Sequence, residues 1–330
     1  MKKLVITHGN CVDGCTCRAI FEDIYKDKAE YIEVDHSDVD PAFPEKFNSF
    51  WQNASRFKNT EVFMADICLR EEVINLFLEN NNTVNIIDHH ETALPLIQKL
   101  RERKESDKSL PLNITFSDDN SESGAMLTWK HMNPDTSPPM LVEYVSDGDL
   151  WKFKYGDQTH HTYSGLLANN RQPSQVPKDE WINLLNNQKD LDKVIELGAT
   201  LYGAYIEKVK SYIPTAVEVI LDGHKGYMVN APAKYKSELG NMLAKKNGTF
   251  ALVWDIKDDG MVACSLRSVE PFRVKEIAEK FGGGGHAQAS AFRVESLEKF
   301  EELLSNEDQS PLYSVDKKIK KGNFKWTKSK

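Results

Sequence analysis

The sequence predicts an α/β protein: a parallel sheet with helices on both faces, a connecting helix, and a smaller second α/β domain with a mixed sheet. Three observations carry this reading. Strand-like and helix-like segments alternate through the first half. A polar helical stretch with no strand candidate follows, over residues 177–212. A second strand–helix set then begins near Val217. Strands that alternate with helices require crossovers, and crossovers give a parallel sheet covered on both faces. At 330 residues the chain exceeds one ordinary core and suits two domains. The expected division is a first domain over 1–195, a connecting helix over 196–215, and a second domain over 216–330 that ends in a basic tail.

Taken in order, residues 4–8 form the first strand and 13–25 carry helical spacing. Strands follow at 31–35 and 61–67, then a helix around 71–78 and a strand at 83–87. Another strand at 112–116 leads to a helix over 121–132. Pro134, Pro138 and Pro139 punctuate the chain before a helix around 141–144. In the second half, strands are expected at 217–221, 226–229, 250–256, 261–266 and 290–294, and helices at 235–246 and 274–281. The turn at Asp258-Asp259-Gly260 is a hairpin signal.

Composition narrows the function classes. Apolar residues make up 40% and charged residues 28%, and no apolar run reaches the length of a membrane span. The start, Met-Lys-Lys-Leu-Val-Ile-Thr-His, has too short an apolar part for a signal peptide and reads as a strand. Five cysteines, an odd number without even spacing, fit reduced thiols and a cytoplasmic protein. Cys15 and Cys17 lack a second cysteine pair to close a tetrahedral metal site, so helix packing explains them better. A net charge of −8 argues against coating long duplex nucleic acid by bulk electrostatics. The last 14 residues, from Lys317, carry seven lysines and no acid. They read as a solvated tail or, with Phe324 and Trp326, as a guide for a phosphate backbone.

Chemistry concentrates at the predicted strand ends. His8 and Asp13 follow the first strand, Asp66 the third, and Asp88-His89-His90 the fourth; Asp147 and Asp149 come later. In a parallel sheet the carboxyl ends of the strands share one edge, where open α/β sheets bind ligands. His8, Asp13, Asp66, Asp88, His89, His90 and Asp147 could therefore converge. So many ligands exceed what one ion needs and fit a pair of divalent ions about 3.5–4 Å apart, a phosphoester-hydrolysing arrangement. Imidazole and carboxylate without thiolate favour manganese, with zinc left open. Each residue also has a plain structural role open to it: Asp13 as a helix cap, Asp66 as a turn residue, Asp147 and Asp149 in a turn with Gly148. Concurrence at successive strand ends is what favours the site.

The second half adds Phe-Gly-Gly-Gly-Gly-His286. Successive glycine amides there can line an anion nest, with His286 donating to a phosphate oxygen. A Gly-Lys-Ser/Thr ending is absent, so this is no Walker loop. Ser265 and Arg267 alternate onto one face of a strand, and Arg267 suits bidentate phosphate binding.

Together these residues resemble the DHH phosphoesterase superfamily, in the branch with a DHHA1 domain that includes RecJ-like exonucleases, nano-RNases and cyclic-dinucleotide phosphodiesterases. The resemblance rests on His8 to Gly14, Asp66 after Phe-Met-Ala, Asp88-His89-His90, Ser123-Gly124-Ala125, Asp147 within Ser-Asp-Gly-Asp-Leu-Trp, and Gly282 to His286. It covers roughly residues 2–295. It implies that His8, Asp13, Asp66, Asp88, His89 and Asp147 ligate two divalent ions, manganese first and magnesium, cobalt or zinc as alternatives, with Asp66 as the bridge. Asp88, His89 and His90 would be catalytic, with His89 nearest the metals or the scissile phosphate. Ser265, Arg267, Gly283, Gly284, Gly285 and His286 would hold a terminal nucleotide or phosphate. The family often has two aspartates in its first motif. Here Cys11 stands where the earlier one would be, so Cys11 and Asp149 remain open candidates.

The expectation is a cytoplasmic metal-dependent phosphodiesterase acting on short oligonucleotides, nucleic-acid ends or linear dinucleotides, with the second domain closing over the substrate. A cyclic dinucleotide or a bisphosphate nucleotide is the alternative substrate, and a nucleotide- or nucleic-acid-binding module is the non-enzymatic alternative. No membrane partner is expected, and the oligomeric state, a dimer included, stays open.

Overall fold

The structure, a computed structural model, describes residues 1–35, 38, 44–305, 313–314 and 327–328. Most of the basic tail, with Phe324 and Trp326, lies outside the described residues. The chain divides into two compact units, Met1–Gly203 and Ala204–Lys330.

The N-terminal unit is built on five strands: β1 (Lys2–His8), β2 (Ala29–Val34), β3 (Thr60–Ala65), β4 (Thr83–Asp88) and β5 (Leu112–Phe116). All pair in parallel, in the order β2-β1-β3-β4-β5. Side chains alternate between two cores. Val5, Phe63 and Ile87 face one, while Leu4, Ile6, Val62, Met64, Val84 and Ile86 face the other. Burial on both faces explains why these strands read as unbroken apolar runs. The first core is closed by α1 (Val12–Tyr25) and by helices from the second half of the unit. The second core is closed by α2 (Pro44–Ala54), α3 (Glu71–Glu79) and α4 (Leu94–Ser106). Four helices then follow in sequence: α5 (Gly124–Met132), α6 (Met140–Asp149), α7 (Asp157–Leu166) and α8 (Lys178–Asn186). The long α9 (Gln188–Lys210) carries the chain past the division.

This strand order reverses direction between β1 and β3, which makes the carboxyl edge there the switch-point crevice of a doubly wound sheet. Helix α5 starts three residues later than the sequence pattern suggests, because Ser123 caps it and accepts from the Met126 amide. Helices α2, α4 and α7 were not expected from the sequence. In α4 only Ile97 and Leu100 are buried, so its apolar stripe is too thin to stand out among its charges.

The C-terminal unit contains β6 (Val217–Leu221), β7 (His224–Asn230), α10 (Lys236–Asn247), β8 (Phe250–Ile256), β9 (Val262–Ser268), α11 (Lys275–Lys280), β10 (Gly284–His286), β11 (Ala289–Val294) and α12 (Leu297–Ser305). Six of its strands form one sheet in the order β10-β11-β9-β8-β7-β6, and Tyr313–Ser314 pairs separately with Thr327–Lys328. The β7–β8 pair is parallel and the others are antiparallel, so the sheet is mixed as expected. The β6–β7 hairpin turns on Asp222 and Gly223, both at positive φ (54° and 74°), the geometry that a two-residue hairpin favours.

Candidate metal centre

Six of the candidate ligands meet at the switch-point edge, in two donor groups. His8, Asp66 and His90 form one; Asp13, His89 and Asp149 form the other. Within each group the ligand atoms lie within 4.8 Å of one another. Asp66 touches both: its Oδ2 lies 3.5 Å from His8 Nδ1 and its Oδ1 lies 3.3 Å from His89 Nε2. His89 Nε2 is also 3.4 Å from Asp149 Oδ2 and 3.9 Å from Asp13 Oδ2. Asp66 reaches this position from the end of β3 in a left-handed conformation (φ 60°).

The backbone and neighbouring side chains hold these groups rigidly. Asp13 lies in the first turn of α1 but does not cap it; Cys11 occupies that N-cap and makes no side-chain capping bond. Instead the Asp13 carboxylate accepts from Ser123 Oγ (2.8 Å) and from the Ala125 amide (3.2 Å) at the start of α5. A helix N-terminus favours such an anion. Gly124 is required by this approach: a Cβ there would sit 2.6 Å from Asp66 Cβ and 2.8 Å from Asp13 Oδ2. The His89 ring donates from Nδ1 to Asn120 Oδ1 at 2.8 Å, which turns Nε2 toward the carboxylates. His90 Nδ1 donates to Asp88 Oδ1 at 2.7 Å, and the same oxygen accepts the His89 amide at 2.8 Å. Orienting partners of this kind fix the exposed nitrogen of a ligating imidazole.

Asp88 therefore stands behind the two histidines and outside both donor groups, with its Oδ2 buried and unbonded. Asp147 is turned away. Its carboxylate accepts from the Lys154 amide (2.8 Å), the Tyr155 amide (3.3 Å) and Thr159 Oγ1 (2.5 Å), tying the end of α6 to the start of α7. The place expected for Asp147 falls to Asp149. Cys11 lies close enough to feel the charges of Asp66, Asp13 and Asp149, but belongs to neither donor group.

Electrostatics show what the cluster lacks. Burial, with the charges of Asp66 and Asp149, raises the Asp13 carboxyl well above its ordinary value. Burial and Asp66 likewise push Asp149 up to about 6. Burial would lower His89, yet Asp66, Asp13 and Asp149 outweigh it and raise the imidazole to about 10. Burial alone would raise Asp66, but the imidazoles of His8 and His89 hold it below the usual carboxylate range. Burial of the thiol, then the nearby carboxylates, raises Cys11 well above its ordinary value. Both Asp66 oxygens and His89 Nε2 are buried without a well-formed hydrogen bond. Carboxylates that repel one another, with both oxygens of the buried Asp66 unbonded, fit divalent cations, and a set of nitrogen and oxygen donors fits borderline or hard ones.

The substrate candidates lie in the C-terminal unit. A cavity of about 430 Å³ is lined by Ser265, Gly283, Lys236, Lys257 and Arg293 among others. Arg267 is not among the lining residues; its guanidinium donates to the Leu266 carbonyl at 2.8 Å and to Ser237 Oγ at 3.1 Å. Gly240 leaves room for that arginine, since a Cβ would lie 2.7 Å from Arg267 Cγ. Burial, then Arg267 and Lys257, lowers the Lys236 ammonium. The sequence reading passed over Lys236; its place at the first turn of α10, behind Pro232, was the available signal. The glycine run is organised differently from an open nest. The Gly282 and Gly283 amides donate to Glu279 and Ala278 at the end of α11. Gly284, Gly285 and His286 form edge strand β10 against β11, and His286 is exposed. Gly283 also permits tight packing, as a Cβ would meet the Ala291 carbonyl at 2.1 Å.

A model of the DHHA1 domain matches residues 217–309. An uncharacterized protein, R106, of Acanthamoeba polyphaga mimivirus is 26% identical over 307 residues, which cover 89% of this chain and 68% of that protein. The oligoribonuclease NrnB of Bacillus subtilis is 26% identical over 248 residues, 71% of this chain; the match spans 59% of that enzyme's length. Among solved structures, a DHH domain described as a member of the S1p family of ribosomal proteins is similar in fold. Its TM-score is 0.59 at 14% identity, over 92% of this chain and 84% of that one. Residues 217–309 thus match a DHHA1 domain, and the chain shares the fold of a solved DHH domain.

Proposed function

We propose that this chain is a metal-dependent phosphodiesterase that hydrolyses short oligonucleotides and linear dinucleotides. The observation that carries the reading is Asp66, one buried carboxylate facing both donor groups at the switch-point edge. His8, Asp66 and His90 would hold one cation, and Asp13, His89 and Asp149 the other, with manganese the first choice. Divalent cations held there supply Lewis acidity and a more acidic bound water. The chain's own residues do the rest. Asn120 and Asp88 set the two imidazoles, and the N-terminus of α5 holds Asp13. In the C-terminal unit, Arg267, Ser265 and Lys236 would take a substrate phosphate, with the exposed His286 as a further donor. The similarity to an oligoribonuclease supports the substrate class. Among the described residues no helix is long and apolar enough to cross a membrane, and the five cysteines are all unpaired, which supports a cytoplasmic setting.

The test is turnover of a panel with manganese, magnesium, cobalt or zinc: a diribonucleotide, longer RNA and DNA, a cyclic dinucleotide and a nucleoside bisphosphate. Fastest hydrolysis of the shortest linear substrates, lost in Asp66→Asn, is expected. No turnover with any metal would leave only a binding module.

A further inference from the structure

The segment that follows Asp149 reads Trp151-Lys152-Phe153-Lys154-Tyr155, an alternation of aromatic and basic residues. Trp151 and Phe153 both adopt positive φ (54° and 49°), an unusual conformation for bulky side chains. Two such residues, two positions apart, need support from the surrounding structure. It comes from a column of rings. Phe153 stacks on His160 with centroids 4.1 Å apart and planes 17° apart, and His160 stacks on Tyr202 at 4.6 Å and 11°. The column is thus rooted in both α7 and α9. Trp151 meets Phe153 edge-on at 4.6 Å and is 43% exposed, one of few large hydrophobic residues so open among those described. The chain keeps a costly backbone shape here and leaves a braced indole in solvent, two residues beyond a member of the donor cluster. Strain of this kind gathers at functional sites.

We infer that Trp151 is a stacking platform for a nucleobase of the substrate, positioned by the Phe153–His160–Tyr202 column. An exposed indole offers a flat face to any base. Lys152, whose ammonium donates to the Ser121 carbonyl, adds positive charge along the same segment, while Lys154 is paired with Glu143. This rests on the oligonucleotide reading above and makes it specific: the substrate must carry a base beside the bond to be cut. A protein partner docking an apolar side chain on Trp151 is the rival occupant.

A diribonucleotide containing 2-aminopurine, whose fluorescence falls on stacking, tests the inference with the full-length chain. Binding is followed with calcium in place of manganese to hold back turnover, and hydrolysis is followed separately with manganese. The wild-type chain should quench the probe, Trp151→Phe should retain the quench, and Trp151→Ala should lose it. With manganese, Trp151→Ala should raise KM for the dinucleotide about tenfold while costing far less on methyl p-nitrophenyl phosphate, which has no base. Equal losses on both substrates would show that the indole merely holds Asp149, and would overturn the inference. So would wild-type binding without quenching, or full quenching by Trp151→Ala. Quenching without cleavage would sink the phosphodiesterase reading and leave the platform standing. A wild-type chain that does not bind the probe would sink both.

Discussion

Asp66 joins the two donor groups through the two oxygens of one carboxylate, so its loss should be felt by both. Asp66→Asn is expected to weaken manganese binding on the order of a hundredfold or more, measured by titration calorimetry. Asp147 and Asp149 give the sharper contrast. Asp147→Asn replaces an acceptor that faces two amides and a hydroxyl, and should cost roughly 2 kcal/mol of stability with little change in metal affinity. Asp149→Asn should do the reverse. The Asp149 carboxyl, raised to about 6, binds its proton more tightly in the folded chain than in the unfolded one. The stability that this proton contributes is present below about pH 4 and is lost as pH rises through 6. At neutral pH without cations, Asp149→Asn should therefore raise Tm by about 1 kcal/mol equivalent, the partly exposed carboxylate being screened by solvent. Below pH 4 the two chains should melt alike. The sequence showed His8, Asp13, Asp66 and the histidine pair because each follows a recognisable strand. It favoured Asp147 over Asp149, whereas the donor group contains Asp149, because that choice depends on where α6 ends and which carboxylate the start of α7 takes.

Helix α5 is the element on which the centre closes. Its first turn supplies the Ser123 hydroxyl and the Ala125 amide to Asp13, and Gly124 lets that turn lie against Asp66. Gly124→Ala places a methyl group where no atom can move freely, so it should lower stability by about 1–3 kcal/mol and manganese affinity at least tenfold. Differential scanning calorimetry and titration calorimetry separate the two effects. In the C-terminal unit the strands and α10 were legible from alternation and turn residues, and so was the hairpin near Gly260. The glycine run was not. Its composition allows a nest or an edge strand equally, and hydrogen bonds from α11 and β11 decide between them.

At the scale of the whole chain, cations should act on one unit. Hydrogen exchange of the intact protein is expected to slow on manganese addition in β1, β3, β4 and α5, and to stay unchanged in β6–β9. A uniform response would contradict a centre confined to the N-terminal unit. Because the carboxylates raise His89 to about 10, that imidazole carries a proton at pH 7. A divalent cation bound there must displace it, so binding should release at least one proton and strengthen as pH rises toward that value. Calorimetry in two buffers of different ionisation enthalpy measures the release.

His8 and Asp149 belong to the same cluster yet stand at opposite ends of a long stretch of chain. A ribosome must therefore deliver every strand of the first sheet, and then α5 and α6, before the second cradle is complete. Nascent fragments that stop just after the Asp-His-His motif would carry the residues of the first cradle but lack Asp149 of the second. Filling of the second cradle is thus a late event in biogenesis, because its last ligand, Asp149, closes α6.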